Sequence, residues 1–191
     1  MRHLAHSVIA DEHQALAAML RSLSMLLTQS RREGKMPDFD VLRAMLFYVD
    51  EFPERLHHTK ESQLLFPKVL ARCPELKAVI DRLEADHGHG EAAMRDLEHS
   101  LLAFEVLGEP RRAGFEAAVE KYIDNYLRHM ALEESDIMPA ARAHLTEADW
   151  NELDAAFAAN RDPLTGHTAE QEYEPLFKRI VMTAPAPIGL G

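Results

Sequence analysis

Residues His57–Pro67 read HHTKESQLLFP, and residues His129–Pro139 read HMALEESDIMP. Each stretch opens on His, carries Glu four residues later, and closes on an apolar pair followed by Pro. Residues four apart on a helix share a face, about 6 Å from one another. The two stretches therefore predict two helices, each presenting one imidazole and one carboxylate to a common point: His57 with Glu61, and His129 with Glu133.

The surrounding chain is built to make helices. It has 191 residues, enough for one domain with a sizeable core. Ala, Leu, Met, Glu and Arg dominate over Val, Ile and Thr, which favours helix over sheet. Only eight Gly and ten Pro interrupt it, so long elements are expected. The formal net charge is −11 with no block of Lys or Arg, which argues against nucleic acid or an anionic membrane as partner. A single Cys, Cys73, excludes an internal disulfide framework and fits a reducing compartment. The opening MRHLAHSVIADEHQ has no secretory h-region, and no apolar run approaches the ~20 residues that span a bilayer. A soluble, cytoplasmic protein is expected.

Apolar spacing predicts four long helices. The first, about 6–32, carries Ile9, Leu16, Leu20, Leu23 and Leu27 at steps of three and four, with His13 filling the one gap. The second, about 39–72, should kink at Pro53 and end or bend near Pro67. The third runs from after Pro74 to about Leu107, with Ile80, Leu83, Met94, Leu97 and Leu101 on one stripe and His87 and Gly90 in its gap. The fourth, about 111–144, carries Phe115, Val119, Tyr122 and Tyr126 into His129 and Glu133. Short turns between amphipathic helices predict an all-α, up-down-up-down four-helix bundle over residues 1–145.

Residues 146–191 read as a helical extension. LTEADW is a capping box with Thr146 as N-cap and Asp149 at the third position. NRDPLTGH is a loop, TAEQEYEPLFKRIVMTAP a last helix, and APAPIGLG an apolar arm. The arm is expected to lie against the bundle or to form a homodimer contact.

Each core stripe is thus interrupted by a histidine. A lone His on an apolar stripe is more often a hydrogen-bonded core residue than a ligand, and one HxxxE is common on solvated faces. Four stripe histidines, two with Glu in register, are harder to obtain by accident. Buried carboxylates and imidazoles without partners cost several kcal/mol, and a metal satisfies both. Nitrogen and oxygen donors without thiolate suit iron, manganese or zinc. Six ligands exceed one tetrahedral zinc and suit two irons bridged by carboxylates. No activated Ser, Cys or Lys constellation accompanies them, so any chemistry belongs to the metal.

His57-His58 followed by Glu61 resembles the signature of the hemerythrin-like HHE cation-binding family. The order His13, the first His-to-Pro segment, His87 and the second segment is similar to that family's across about residues 6–144. The resemblance implies a four-helix bundle around a non-haem di-iron centre. Its ligands would be His13, His57, Glu61, His87, His129 and Glu133, with Glu61 and Glu133 as bridges. Oxygen-carrying relatives have a further His one turn after the third-helix ligand, where this chain has Glu91. They carry Asp five residues after the fourth-helix His, where this chain offers Glu133 at four and Glu134 at five. Glu91, Glu134 and His58 are therefore further candidates, as extra ligands or as groups that hold the ligands. A centre with fewer imidazoles than a five-His carrier suits binding, sensing or reaction with O2, peroxide or nitric oxide.

Two other readings remain open at this stage. Glu54-x-x-His57 and Glu84-x-x-His87 satisfy the Glu-x-x-His spacing of ferritin-like di-iron bundles, although that scheme leaves His13 and His129 without a role. A metal-free helical interaction module would treat the histidines as core polar groups and assign function to the C-terminal arm.

Overall fold

The computed structural model describes residues 3–190, so the last residue of the arm, Gly191, lies outside the described residues. Every regular element among the described residues is helical. Six helices carry the fold: α1 (Leu4–Arg32), α2 (residues 39–72), α3 (Lys77–Leu107), α4 (residues 112–144), α5 (Glu147–Phe157) and α6 (Glu174–Thr183). None of them is long and apolar enough to cross a membrane.

The prolines shape α2 and α4 in a way that positions side chains. In both helices a π-helical turn follows the repeated Glu: Glu61–Leu65 in α2 and Glu133–Ile137 in α4. The Phe66 N–H bonds the carbonyl of Glu61, and the Met138 N–H that of Glu133, each five residues back. Pro67 and Pro139 follow at once. A proline ring has no N–H and clashes with the carbonyl four residues before it, and the widened turn relieves that conflict. The extra residue keeps the helix facing inward on both sides of the turn. Glu61, Leu65, Phe66 and Val69 are all buried, as are Glu133, Ile137, Met138 and Ala141.

Pro53 produces a longer wide segment, Asp50–His57, where a simple kink was expected. Through it α2 buries Phe52, Glu54, His57 and His58, including two adjacent histidines that an α-helix would splay about 100° apart.

Two apolar clusters flank the polar residues. One is built around Leu20, Leu23, Met45, Leu97, Phe104 and Phe115. The other contains Ile9, Leu65, Phe66, Leu83, Ile137 and Trp150. On each of the first four helices the stripe histidine lies where the chain passes from one cluster to the other. His13 sits between Ile9 and Leu16, and His57 between Phe52 and Leu65. His87 sits between Leu83 and Met94, and His129 between Tyr126 and Ile137.

The C-terminal segments pack on the same chain. The Thr146–Asp149 capping box is present at the start of α5. Helix α5 buries Trp150, Leu153 and Phe157, while α6 buries Phe177 and Ile180. Helix α6 is shorter than the sequence pattern suggested and begins beside Pro175, whose fixed φ and missing N–H suit the first turn. The arm lies along α1 and α6: Ser22 Oγ donates to the Pro185 carbonyl at 2.8 Å, and the Leu190 N–H to that of Val181 at 2.8 Å.

Two helical glycines in α3 differ in a testable way. A Cβ on Gly88 would meet nothing within 4 Å, whereas one on Gly90 would stand 2.8 Å from Glu54 Oε1. Gly88→Ala is expected to raise stability by about 0.5–1 kcal/mol, the usual helix-interior gain. Gly90→Ala is expected to lower it, because Glu54 would have to leave partners whose loss costs about 1–3 kcal/mol. Urea unfolding of the two variants checks this, and equal gains would refute the close approach.

Candidate metal centre

Four helices deliver five imidazoles and two carboxylates to one buried volume. His13 comes from α1, His57, His58 and Glu61 from α2, His87 from α3, and His129 and Glu133 from α4. Their donor atoms form two overlapping groups, His13–His57–Glu61–Glu133 and His58–Glu61–His87–His129, each within 4.8 Å of one another. Glu61 Oε1 lies 3.0 Å from His57 Nε2, and its Oε2 lies 3.6 Å from His87 Nε2. Glu133 Oε2 lies 3.3 Å from His13 Nε2, and its Oε1 3.3 Å from His129 Nε2. Each carboxylate therefore spans both groups.

Four of the five other ring nitrogens bond acceptors on the outside of the cluster, and His129 Nδ1 does not. His13 Nδ1 meets Glu134 at 3.1 Å, His57 Nδ1 meets Glu12 at 2.7 Å, and His58 Nδ1 meets Glu54 at 3.2 Å. His87 Nδ1 bonds Ser62 Oγ at 2.9 Å, and Ser62 donates onward to Glu84. His129 Nδ1 lies 3.6 Å from Asp86. Metal-binding imidazoles are typically held in this way, with the outer nitrogen on a carboxylate or other acceptor and the inner one free for the ion.

The inner atoms lack ordinary partners. All four carboxylate oxygens of Glu61 and Glu133 are buried without a hydrogen-bond donor, as is His57 Nε2. His87 Nε2 and His129 Nε2 stand 3.1 Å apart. Two nitrogens about 2.1 Å from one ion stand about 3 Å apart at a right angle. The donor set thus fits cations on chemistry and on spacing.

Residues 4–141 match the family described as hemerythrin HHE cation binding domain. The chain belongs to this hemerythrin HHE family. An uncharacterised protein of Haemophilus influenzae is 28% identical over 124 residues, which is 64% of this chain and 70% of that protein. No solved structure matches the chain.

Within the HHE centre, burial and charge pull the imidazoles apart. Burial opposes charge on His13, but Glu133 and Glu134 outweigh it and push the ring up to about 9. His57 and His129 are raised in the same way, by Glu61 with Glu12 and by Glu133 respectively. Burial and the neighbouring histidines push His58 well down, and His87 to about 2. These two rings are neutral and keep a lone pair for a cation. Burial and the Glu133 charge raise Glu61, while His129 and His13 overcome burial to hold Glu133 well below the usual range.

All six stripe residues named from the sequence meet in this cluster. His58 joins them, because the wide turn at Pro53 rotates it inward, and the cluster holds five imidazoles. Glu134 is half-exposed and touches only the outer nitrogen of His13. Glu91 faces solvent beside Arg95 at 3.8 Å. The inward position one turn after His87 is Gly90, and Glu54 from α2 fills the space before it.

Sequence reasoning gave no role to Glu12, Asn160 and Asp162, and placed Glu54 only in the ferritin-like alternative. Glu54 is buried and accepts from Tyr122 Oη at 2.9 Å, from Tyr126 Oη, and from His58. The one available signal was a Glu on the inner side of a proline-bent helix.

Asp162 accepts from Tyr48 Oη at 2.5 Å and from the Leu164 N–H. Burial outweighs these donors and pushes its carboxyl from the ordinary 3.8 up to about 6. The folded state therefore binds this proton more tightly than the unfolded chain. Its stabilising effect is full below about pH 4 and lost as pH rises through about 6. Replacing it by Asn should remove a pH-dependent difference of about 2–3 kcal/mol between pH 4 and 7. Urea midpoints of both proteins across that range test this, and parallel curves would refute it.

Proposed function

We propose that this chain is a non-haem di-iron protein of the hemerythrin type that binds, senses or reacts with O2, peroxide or nitric oxide. The observation that carries the reading is the set of four donor-free carboxylate oxygens held among five imidazoles, four of them bonded on their outer nitrogens. One metal position would be held by His13 and His57, the other by His58, His87 and His129, with Glu61 and Glu133 bridging. Two bridged positions with N and O donors and no thiolate favour iron, with manganese or zinc as the other fits. The bound metals would supply the redox or Lewis-acid chemistry, and the protein orients the ligands and controls access.

The scaffold proposed is the up-down-up-down four-helix bundle. The stripes of α1 and α3 run from the second apolar cluster to the first, and those of α2 and α4 run in the opposite order. That alternation supports antiparallel neighbours.

Access is wider on one side. A cleft of about 590 Å³ between α3 and α4 reaches His58, His87 and His129 past Tyr122 and Tyr126. A cleft that admits water-sized molecules over that volume has room for a diatomic molecule or peroxide. The ferritin-like alternative is disfavoured by Glu84, which lies on the surface bonded to Ser62. A metal-free module would leave two fully buried carboxylates with only the facing imidazole rings to compensate them.

Protein purified without added metal is expected to hold roughly two irons per chain, as two-metal sites do, by elemental analysis, with a near-ultraviolet ferric band. Full stability with no metal after iron supplementation would refute the proposal. Glu61→Ala and His129→Ala should each remove most of the iron, while His89→Ala, on an exposed residue, should remove none. Spectral titration with O2, peroxide and nitric oxide then ranks the ligands.

A further inference from the structure

We infer that Asn160, from the chain beyond the family match, is a positioning residue for the His13–His57 metal position, and that the segment around it confines the space beside that position to about one water. The inference rests on the di-metal reading above.

Asn160 is 3% exposed. Its Nδ2 donates to Glu12 Oε2 at 3.0 Å, the same oxygen that meets His57 Nδ1 at 2.7 Å. Its Oδ1 accepts from Lys60 Nζ. The ammonium needs an acceptor and the carboxylate a donor, so these two partners settle which way the amide points. A relay results that runs inward from the partly buried Lys60 to Asn160, Glu12 and His57. With Glu12 held as acceptor, a His57 that binds a cation would keep its proton on Nδ1 and offer Nε2 to the centre.

The helix that delivers Asn160 is clamped to the same end of the molecule. Asp154 accepts from the Ala5 N–H at 2.7 Å, Trp150 stacks on His3 at 4.5 Å, and the Phe157 ring meets the His57 ring edge-on at 6.0 Å. The cavity left on this face is about 10 Å³, against about 590 Å³ for the cleft on the other. That is room for about one water. The two metal positions are therefore inequivalent, one beside a wide cleft and one beside a confined space walled by the C-terminal segment.

Release of iron to a strong chelator, followed by absorbance on the loaded full-length protein, tests this. The wild type should lose metal in two phases of similar amplitude. Asn160→Ala, and Asn160→Asp, which keeps the size but loses the donor to Glu12, should speed the slow phase about 10- to 100-fold, the usual effect of removing such a support. Both should leave the fast phase unchanged. Asp154→Ala loosens the docking of α5 without touching the relay, and should speed the slow phase much less. With cobalt in place of iron, only one of two sets of ligand-field bands should shift in the Asn160 variants. Two metals leaving wild type in one phase, or a slow phase indifferent to both Asn160 variants, would overturn this inference alone. A wild type that takes up no metal overturns the di-metal reading with it.

Discussion

Two carboxylates, Glu61 and Glu133, lie at the middle of this fold with 0% and 1% of their surface exposed and no hydrogen-bond donor on any oxygen. Bringing two such groups together in a low-dielectric interior is among the most expensive arrangements a protein can adopt. The rest of the structure is organised around making it tolerable. Imidazoles approach from four helices, and carboxylates, a hydroxyl and an amide behind them fix most of the ring orientations. Apolar clusters on either side exclude water and hold the four helices in register. Remove the central charge requirement and neither the five-imidazole ring nor the outer acceptors has a physical reason to exist.

What was legible in the chain follows from how far the helical period holds. The HxxxE pairs could be read because Glu61 and Glu133 precede the wide turns, so the spacing of 3.6 residues per turn still applies between His and Glu. His13 and His87 were visible as gaps in otherwise apolar stripes, and Thr146–Asp149 as a local capping pattern. Across the wide segment around Pro53 the period fails. A proline announces a disturbance but not whether the helix kinks or widens, and this choice decides whether His58 faces the centre. Glu91 illustrates the converse. Its spacing from His87 is right, yet α3 turns the smaller Gly90 inward because a side chain from another helix needs that space. Asn160 and Glu12 are 148 residues apart, and no local pattern links them.

The widened turns deserve a mechanical reading. An α-helix can send only about one residue in four to a given line, so a helix contributing His57, His58 and Glu61 together with Glu54 must depart from it. The π-helical segments make that departure possible, at the expense of poorer backbone geometry, and they cluster at the part of α2 and α4 that carries the His/Glu cluster. Such turns are common at functional sites. Here their cause is covalent: prolines at 53, 67 and 139 impose them.

The two halves of the centre share their bridging groups but not their surroundings. On the confined side, an amide and a carboxylate hold His57, and the space beyond has room for about one water. On the open side, His58 rests on Glu54, whose other oxygen takes two tyrosine hydroxyls at the wall of the wide cleft. On the di-metal reading, a molecule arriving through the cleft would meet one metal position directly and the other only through Glu61 and Glu133. The two carboxylates would then connect a position that exchanges its partners readily to one that exchanges them slowly. Reactivity with small molecules and retention of the metals, which a single exposed site would set against each other, would be divided between the two faces of one buried pair.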